Sequence, residues 1–330
     1  MEMNDANLKI KISVIITAYN RKDFLLEALK SAVNQTLDRR KYEIICIKNF
    51  RNKTIDNYIK MNGIKSIIER NKTIGEYILI ATKEASGSII AWLDDDDLFS
   101  RDKLQRIYDI FSNHDVGFYH NDYLTSDEPA DFSKIGLKEG NFKILNYPYR
   151  WKGKELASAA PNMSSIAMKK EIFLNYSKYM AKVDASPDSF CLLLALISKT
   201  KIVIDKNRLT FYRLHDNNWS KSKDLRIYIE RYESEVIPAY HYQLELARKH
   251  ESKAAIKFFT KIIFENLSLL GIAKKDKKLV IDAYKYFRFS TNIGVYKLWL
   301  ADFLFLLGSN YPYKRVTKFL YDKTLNRSSD

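Results

Sequence analysis

The chain has 330 residues, 46% of them hydrophobic and 29% charged, with 10 Gly and 6 Pro against 22 Tyr and 18 Phe. That balance excludes collagen-like, low-complexity and mainly disordered chains, and predicts long regular elements around an aromatic-bearing core. A net charge of +15 favours polyanions such as nucleic acid, phosphorylated ligands or an anionic membrane face, and does not choose among them.

The opening MEMNDANLKIKISVIIT has no basic region ahead of a long apolar core, so a cytoplasmic location is expected. KISVIITAY (11–19) reads as a buried strand, followed by a helix over 23–33 with Leu25, Leu26, Leu29 and Val33 on one face. YEIICI (42–47), a helix around 55–61, and KSIIE (65–69) repeat the alternation. A helix over 76–85 is expected to end at Gly87, which leads into SIIAWL (88–93). Strands alternating with helices imply right-handed crossovers and a mostly parallel sheet covered on both faces. Ligands of such sheets bind beyond the carboxyl ends of the strands. That rule brings 17–20, 48–51 and 94–97 together in space.

From Gly117 to Pro161 the pattern weakens, as expected of irregular or antiparallel structure around a site. A helix over 188–199 and the strand KIVID follow. From Ser222 the texture changes to three or four long amphipathic helices, with 20 Lys and Arg against 12 Asp and Glu. A domain boundary near residue 221 is therefore expected. Cys46 and Cys191 lie inside apolar runs and read as buried thiols of a reducing compartment, with no disulfide framework or zinc cluster. No run reaches the roughly 18 uninterrupted apolar residues of a spanning helix; VYKLWLADFLFLLG is broken by Lys297 and Asp302.

Four aspartates, Asp94 to Asp97, follow SIIAWL directly. Like charges this close raise the cost of ionising all of them, so something cationic should offset the run. A Mg²⁺ or Mn²⁺ ion suits it, since hard cations take one or two carboxylates and complete their shell with water and phosphate. An acidic turn capping a helix that starts near Asp102 accounts for the run alone equally well.

The pieces SVIITAYNRKDFLLEALKSAVNQTL, YEIICIKN and EASGSIIAWLDDDD together resemble the opening of a family 2 glycosyltransferase with the GT-A fold, over about residues 10–220. The resemblance implies an α/β, Rossmann-like, mostly parallel sheet flanked by helices as a catalytic domain over 1–221. A basic amphipathic helical domain over 222–330 would follow it. It further implies a metal-dependent inverting transfer of a sugar from a nucleotide-sugar donor, UDP-linked first and GDP-linked second, to a glycan or lipid-linked glycan hydroxyl.

By the same resemblance Thr17, Ala18, Tyr19 and Asn20 line the nucleotide pocket. Asp94 approaches the ribose, Asp96 binds the Mn²⁺ or Mg²⁺ ion, and Asp95 and Asp97 support them. The family's usual aspartate pair after the second strand is replaced by Ile47, Lys48, Asn49 and Phe50. Asn49 can still hydrogen-bond a base edge, while Lys48 either contacts phosphate or is solvated. SPDSFCLLLALIS matches the segment that supplies the base, with Asp188 in that role and Asp184 in reserve, although Pro then Asp is also ordinary helix-start chemistry. FYRLHDNNWS is similar to the family's closing motif: His215 completes the metal shell or contacts diphosphate, and Arg213 positions the loop or phosphate. Asn218 and Ser220 order that segment. AAPNMSSIAMKKEIF resembles the acceptor-side strand, with Ser164 and Ser165 near the acceptor.

The helical tail carries no motif of its own. Its Lys and Arg suit either peripheral contact with an anionic membrane, through 274–278 and 299–305, or a solvated face on a bundle or homodimer. A non-catalytic sugar-nucleotide or glycan-binding protein on the same scaffold is the alternative function. Nucleic-acid binding rests on charge alone and is not expected.

Overall fold

Ile12–Ala18 is almost wholly buried and β-branched, as a strand covered on both faces must be, and forms β1. The computed structural model describes residues 11–70, 72–126, 137–149, 156, 158–215, 224–287 and 293–324. These fall into two compact units, 1–214 and 215–330. Asn218 and Ser220 lie outside the described residues.

In the first unit, β1 is flanked by β2 (Tyr42–Lys48) and β4 (Ile89–Asp94), both parallel to it, and β3 (Lys65–Ile68) runs parallel beside β2. The connecting helices are α1 (Leu25–Val33), α2 (Lys53–Met61) and α3 (Ile74–Glu84). Leu25, Ala28, Leu29 and Ala32 of α1 are buried, and join Ile55 and Ile59 of α2 in the core under the sheet. A capping box starts α3: Glu76 N donates to Thr73 Oγ1 at 3.1 Å and Thr73 N donates to Glu76 Oε2 at 2.9 Å.

The end of α3 differs from expectation. The helix stops at Glu84 with Ala85 already extended, so Gly87 does not terminate it. Gly87 is needed for close approach: a Cβ there would lie 2.5 Å from Lys11 O and 2.8 Å from Ser13 N. Its own N–H donates to Ser13 Oγ at 2.9 Å.

Beyond β4 the sheet becomes mixed, in the order β3-β2-β1-β4-β8-β6-β9-β5, with β7 also on β9. β5 is Leu98–Phe99, β6 Phe118–Ser126, β7 Phe142–Leu145, β8 Ile166–Lys169 and β9 Ile202–Arg213. β8 is antiparallel to both β4 and β6, β6 and β9 are parallel, and β5 and β7 are antiparallel to β9. The weakly patterned stretch thus contains the long β6, with a bulge at Asn121 and Asp122. β9 runs eight residues past the KIVID strand, and that extension returns Arg213 to the acidic run. The described residues of this unit also form α4 (Lys103–Asn113), α5 (Lys170–Asn175), α6 (Ser177–Met180) and α7 (Pro187–Ile197).

The second unit is helical: α8 (Leu225–Arg231), a π turn over Tyr232–Val236, α9 (Ile237–Lys249), α10 (Lys253–Lys274), α11 (Lys277–Ala283), α12 (Ile293–Leu306) and α13 (Tyr311–Thr324). Tyr228, Ile272, Val280, Phe305, Val316 and Leu320 form its core. Gly271 lets α10 approach α11, since a Cβ would meet Val280 Cγ2 at 2.6 Å. Asp302 is buried here and accepts from Ser268 Oγ at 2.9 Å, and burial pushes its carboxyl up to about 7. Among the described residues, no helix is long and apolar enough to cross a membrane.

Candidate active site

Parallel pairing aligns the carboxyl ends of the central strands. Thr17 sits opposite Ile47 on one side and Asp94 on the other, and Ala18 sits opposite Lys48. The three segments expected to converge therefore do. Asp94 to Asp97 form a tight turn, with Asp97 N donating to Asp94 O at 3.3 Å. β5 intervenes before α4, so the run is not a cap for that helix. Asp102 supplies the N-cap position there, and its side chain accepts from Thr36 Oγ1 at 3.1 Å instead.

Asp94, Asp96 and Asp97 each offer a carboxylate oxygen within 4.8 Å of the other two. Asp94 is partly exposed and the other two are buried. Burial, followed by Asp96 and Asp95, pushes the Asp94 carboxyl above its usual range. Burial, then Asp96 and Asp94, does the same to Asp97. Asp97 Oδ2 is buried and accepts no hydrogen bond. A hard divalent ion fits this set on chemistry: three clustered carboxylates that repel one another when ionised, one of them carrying an orphaned oxygen.

Three protein cations surround the run. Arg21, in the loop after β1, reaches Asp95 through Nη2 and Asp96 through Nη1, the latter at 2.6 Å. Burial disfavours its charge, but Asp96 and Asp95 together hold the guanidinium above its ordinary range. Arg213 donates from its backbone N to Asp97 Oδ1 at 3.1 Å and from Nε to Asp96 O at 3.0 Å. Its Nη2 bonds Glu27 at 2.6 Å, and its guanidinium lies 4.5 Å from the Phe24 ring centroid. Arg213 thus positions the acidic turn. Lys103 is wholly buried beneath it, donating to Ser164 O and to Thr210 Oγ1 at 2.8 Å. Burial drives its ammonium well below the lysine range, against the pull of Asp97.

The segments expected to line a nucleotide pocket follow β1 and β2. Tyr19 is 52% exposed and meets the Tyr77 ring edge-on at 5.9 Å. Asn20 has φ 57°, a conformation asparagine tolerates better than most residues. Its N–H donates to Asn49 Oδ1 at 2.9 Å, and Asn49 Nδ2 donates to Asn20 Oδ1 at 2.8 Å. Asn49 therefore ties β2 to the β1 loop, and its exposed edge is what remains for a ligand. Lys48 behaves otherwise than expected. It is fully buried and donates to Phe50 O at 2.8 Å and to Asp56 Oδ1 at 2.7 Å, stapling β2 to α2, so it is neither solvated nor turned to the ligand edge.

Asp188 occupies the first turn of α7, after Ser186 in the left-handed region. Its Oδ2 accepts from Asn162 N at 3.0 Å and its Oδ1 from Ser189 N at 2.8 Å. Burial pushes its carboxyl up to about 6, against those bonds. Its charge also acts on Asp94, so the two carboxylates share one neighbourhood. Tyr123 of β6 belongs there too, its hydroxyl raised by burial and then by Asp122, Asp188 and Asp97. Asp184 is exposed.

Ser164 and Ser165, expected near the acceptor, are placed beneath the acidic run. Both lie in a 3₁₀ turn, Met163–Ser165, ahead of β8, and both are fully buried. Ser164 Oγ accepts from Asp94 N at 2.9 Å. Ser164 thus holds the acidic turn from beneath, while the Ser165 hydroxyl is buried without a hydrogen-bond partner among the described residues. His215 opens the second unit, and its assignment to the cation stays an implication of the resemblance.

Arg21 and Lys103 were missed as site residues because their hydrogen-bond partners lie 74 positions away for Arg21 and 61 and 107 positions away for Lys103. The one signal for them was the general one, that four adjacent carboxylates require positive charge nearby.

Residues 13–166 match Glycosyl transferase family 2. A Rickettsia bellii protein described as an uncharacterized glycosyltransferase is 29% identical over 142 residues, 42% of this chain and 20% of that protein. The Escherichia coli UDP-Glc:alpha-D-GlcNAc-diphosphoundecaprenol beta-1,3-glucosyltransferase WfaP is 27% identical over 216 residues, 64% of this chain and 80% of that one. The chain thus spans about a fifth of the Rickettsia relative's length and most of the other's. Among solved structures, the mannosyltransferase PcManGT from Pyrobaculum calidifontis, in complex with GDP-Man and Mn²⁺, superposes with a TM-score of 0.55. It is 14% identical, over 97% of this chain and 88% of that one. Residues 13–166 of the chain thus carry the glycosyl transferase family 2 match, on a GT-A fold shared with that solved structure.

Proposed function

We propose that the chain is a divalent-cation-dependent, inverting glycosyltransferase that moves a sugar from a nucleoside diphosphate donor to a hydroxyl of a glycan or lipid-linked glycan. The observation that carries this reading is the carboxylate cluster Asp94, Asp96 and Asp97 at the tip of β4, with Asp188 in its field. The names of WfaP, with its UDP-Glc donor and diphosphoundecaprenol acceptor, and of PcManGT, with GDP-Man and Mn²⁺, support the donor and acceptor classes.

Asp94, Asp96 and Asp97 are the residues that would hold Mn²⁺ or Mg²⁺. When bound, such an ion neutralises charge developing on the leaving diphosphate. The protein's own groups supply the rest. Tyr19 offers a ring face to the base, Asn20 and Asn49 fix the loop beside it, and Arg213, Lys103 and Ser164 keep the acidic turn in place. Asp188 takes the proton of the acceptor hydroxyl as that oxygen attacks the anomeric carbon. The bond from that carbon to the phosphate oxygen breaks, and the nucleoside diphosphate leaves on the opposite face. With a pKa of about 6, Asp188 is ionised at neutral pH and still basic enough to accept the proton.

A thermal-shift panel of UDP, GDP and their sugars with and without Mn²⁺ tests the reading. A specific nucleotide with Mn²⁺ is expected to raise the midpoint by about 5 °C or more at 100 times its dissociation constant. Release of nucleoside diphosphate from the matching donor should follow. No shift with any pair sinks the reading, and a shift without turnover over glycan and lipid-linked acceptors reduces the chain to a binding module.

The helical unit supports a peripheral contact with an anionic membrane, which would suit a lipid-linked acceptor. Leu300, Phe303, Leu307, Tyr311 and Phe319 are exposed on α12, on α13 and in the turn between them, and Lys297, Lys314, Arg315 and Lys318 are exposed beside them. Burying one such Phe or Leu stabilises by about 1.5–3 kcal/mol, roughly tenfold or more in affinity. The double substitution Phe303→Ser, Leu307→Ser is therefore expected to lower flotation with phosphatidylglycerol vesicles at least tenfold. Equal flotation of the two proteins, or binding indifferent to lipid charge, rejects the contact.

A further inference from the structure

Among the described residues, Arg21, Arg213 and Lys103 stand at the acidic turn, and they are held differently. Lys103 is sealed under the turn by Ser164 and Thr210. Arg213 is anchored to backbone, to Glu27 and to the Phe24 ring as well as to Asp97. Arg21 is bonded to the acidic run alone, through Asp95 and Asp96. Its side chain is 32% exposed, against 2% and 9% for those two aspartates, so it has a route to solvent that they lack. It comes from a loop whose preceding residue, Asn20, is in the left-handed region. It also spans Asp96, a member of the cluster with Asp94 and Asp97.

We propose that Arg21 is a built-in counter-cation that competes with the divalent ion for Asp96. In the absence of the ion, its guanidinium offsets the repulsion among the four carboxylates and keeps the turn assembled. An ion drawn to Asp94, Asp96 and Asp97 and a guanidinium 2.6 Å from Asp96 repel each other, so entry of the ion loosens Arg21 from Asp96. The nucleoside diphosphate then contributes the negative charge that lets both cations stay in the pocket. Cation binding is weak alone and strengthened by nucleotide as a result. This inference rests on the cation-dependent reading above.

The test is a Mn²⁺ titration without nucleotide, by calorimetry and by the loss of free-ion electron paramagnetic resonance signal, on the wild-type protein and Arg21→Gln. Arg21→Gln is expected to bind Mn²⁺ about tenfold more tightly, because a competitor worth about one decade of affinity is removed. In EDTA it should melt lower than wild type, since its carboxylates lose their offset, and Mn²⁺ should raise its midpoint by more than it raises the wild type's. Arg21→Lys, which keeps the charge but cannot bridge two carboxylates, is expected to fall between the two. It is the variant to measure if Arg21→Gln does not fold without metal. Equal or weaker Mn²⁺ affinity in the variants overturns the inference and makes Arg21 a structural strap, while the cation-dependent reading stands. Failure of every protein to take up Mn²⁺, with and without UDP or GDP, sinks both.

Discussion

Asp96→Asn is expected to lower turnover by on the order of 10³-fold, the rate equivalent of the several kcal/mol a divalent ion contributes to the transition state. The substitution preserves side-chain shape while removing a negative charge from the cluster of Asp94, Asp96 and Asp97. EDTA should have the same effect on the wild-type protein, and added Mn²⁺ should restore only the wild type. The measurement is nucleoside diphosphate release at saturating donor and acceptor, with the circular dichroism melt as a control for folding. Arg21 retains Asp95 as a partner in the variant, so a large loss of stability is not expected. A variant that keeps more than a tenth of its turnover, or a wild-type enzyme indifferent to EDTA, removes the cation from the mechanism.

Asp188→Asn is expected to lower turnover by about 10²- to 10⁴-fold, the range general-base catalysis contributes, while leaving nucleotide affinity within a few-fold of wild type. The isostere still accepts a backbone N–H through its carbonyl oxygen, so the start of α7 should hold. The pH profile separates a base from a structural acid. Burial sets the Asp188 carboxyl at about 6, and its charged form does the work, so wild-type turnover should rise with pH through about 6 and then level. In the variant that limb should vanish. The sign is opposite for stability. A carboxyl whose pKa is raised by folding keeps its proton where the unfolded chain has released it, so its ionisation costs stability as pH rises from about 4 to about 6. An activity limb and a stability limb of opposite slope over one window point to Asp188 working as a base in a fold that disfavours its charge. An unchanged limb in Asp188→Asn transfers the role to another group.

The resemblance and the local patterns foresaw the first half of the fold well. The strands at 12–18, 42–48 and 89–94 are apolar runs buried on both faces, 65–68 is a short edge strand beside them, and the helices between them carry one apolar face each. Such signals are local. The boundary errors were local too: Gly87 looked like a helix stop because the chain around it resembled one, whereas its constraint comes from Lys11 and Ser13, some 75 residues earlier.

The second half was obscure because its elements are specified by partners. Ile166–Lys169 is only four residues long and becomes a strand by lying between β4 and β6. The alternation of Ile202–Arg213 is interrupted by polar residues that are buried only because distant partners meet them, Asp205 against Arg106 and Thr210 against Lys103.

By itself the sequence determined the acidic run, the strand that delivers it and the asparagine standing where an aspartate is usual. Each of these is a matter of adjacent residues and their period. Only the tertiary structure decided which charges stand against that run. Arg21 meets Asp95 across 74 positions and the Arg213 guanidinium meets the Asp96 carbonyl across 117, while Lys48, outwardly a ligand-facing cation, is consumed by Asp56. It likewise set Ser164 beneath Asp94 as its hydrogen-bond acceptor. The reason is physical: a side chain's charge and reach are written in the sequence, but the strength of an electrostatic contact depends on distance and burial, and both are set by which strands pair.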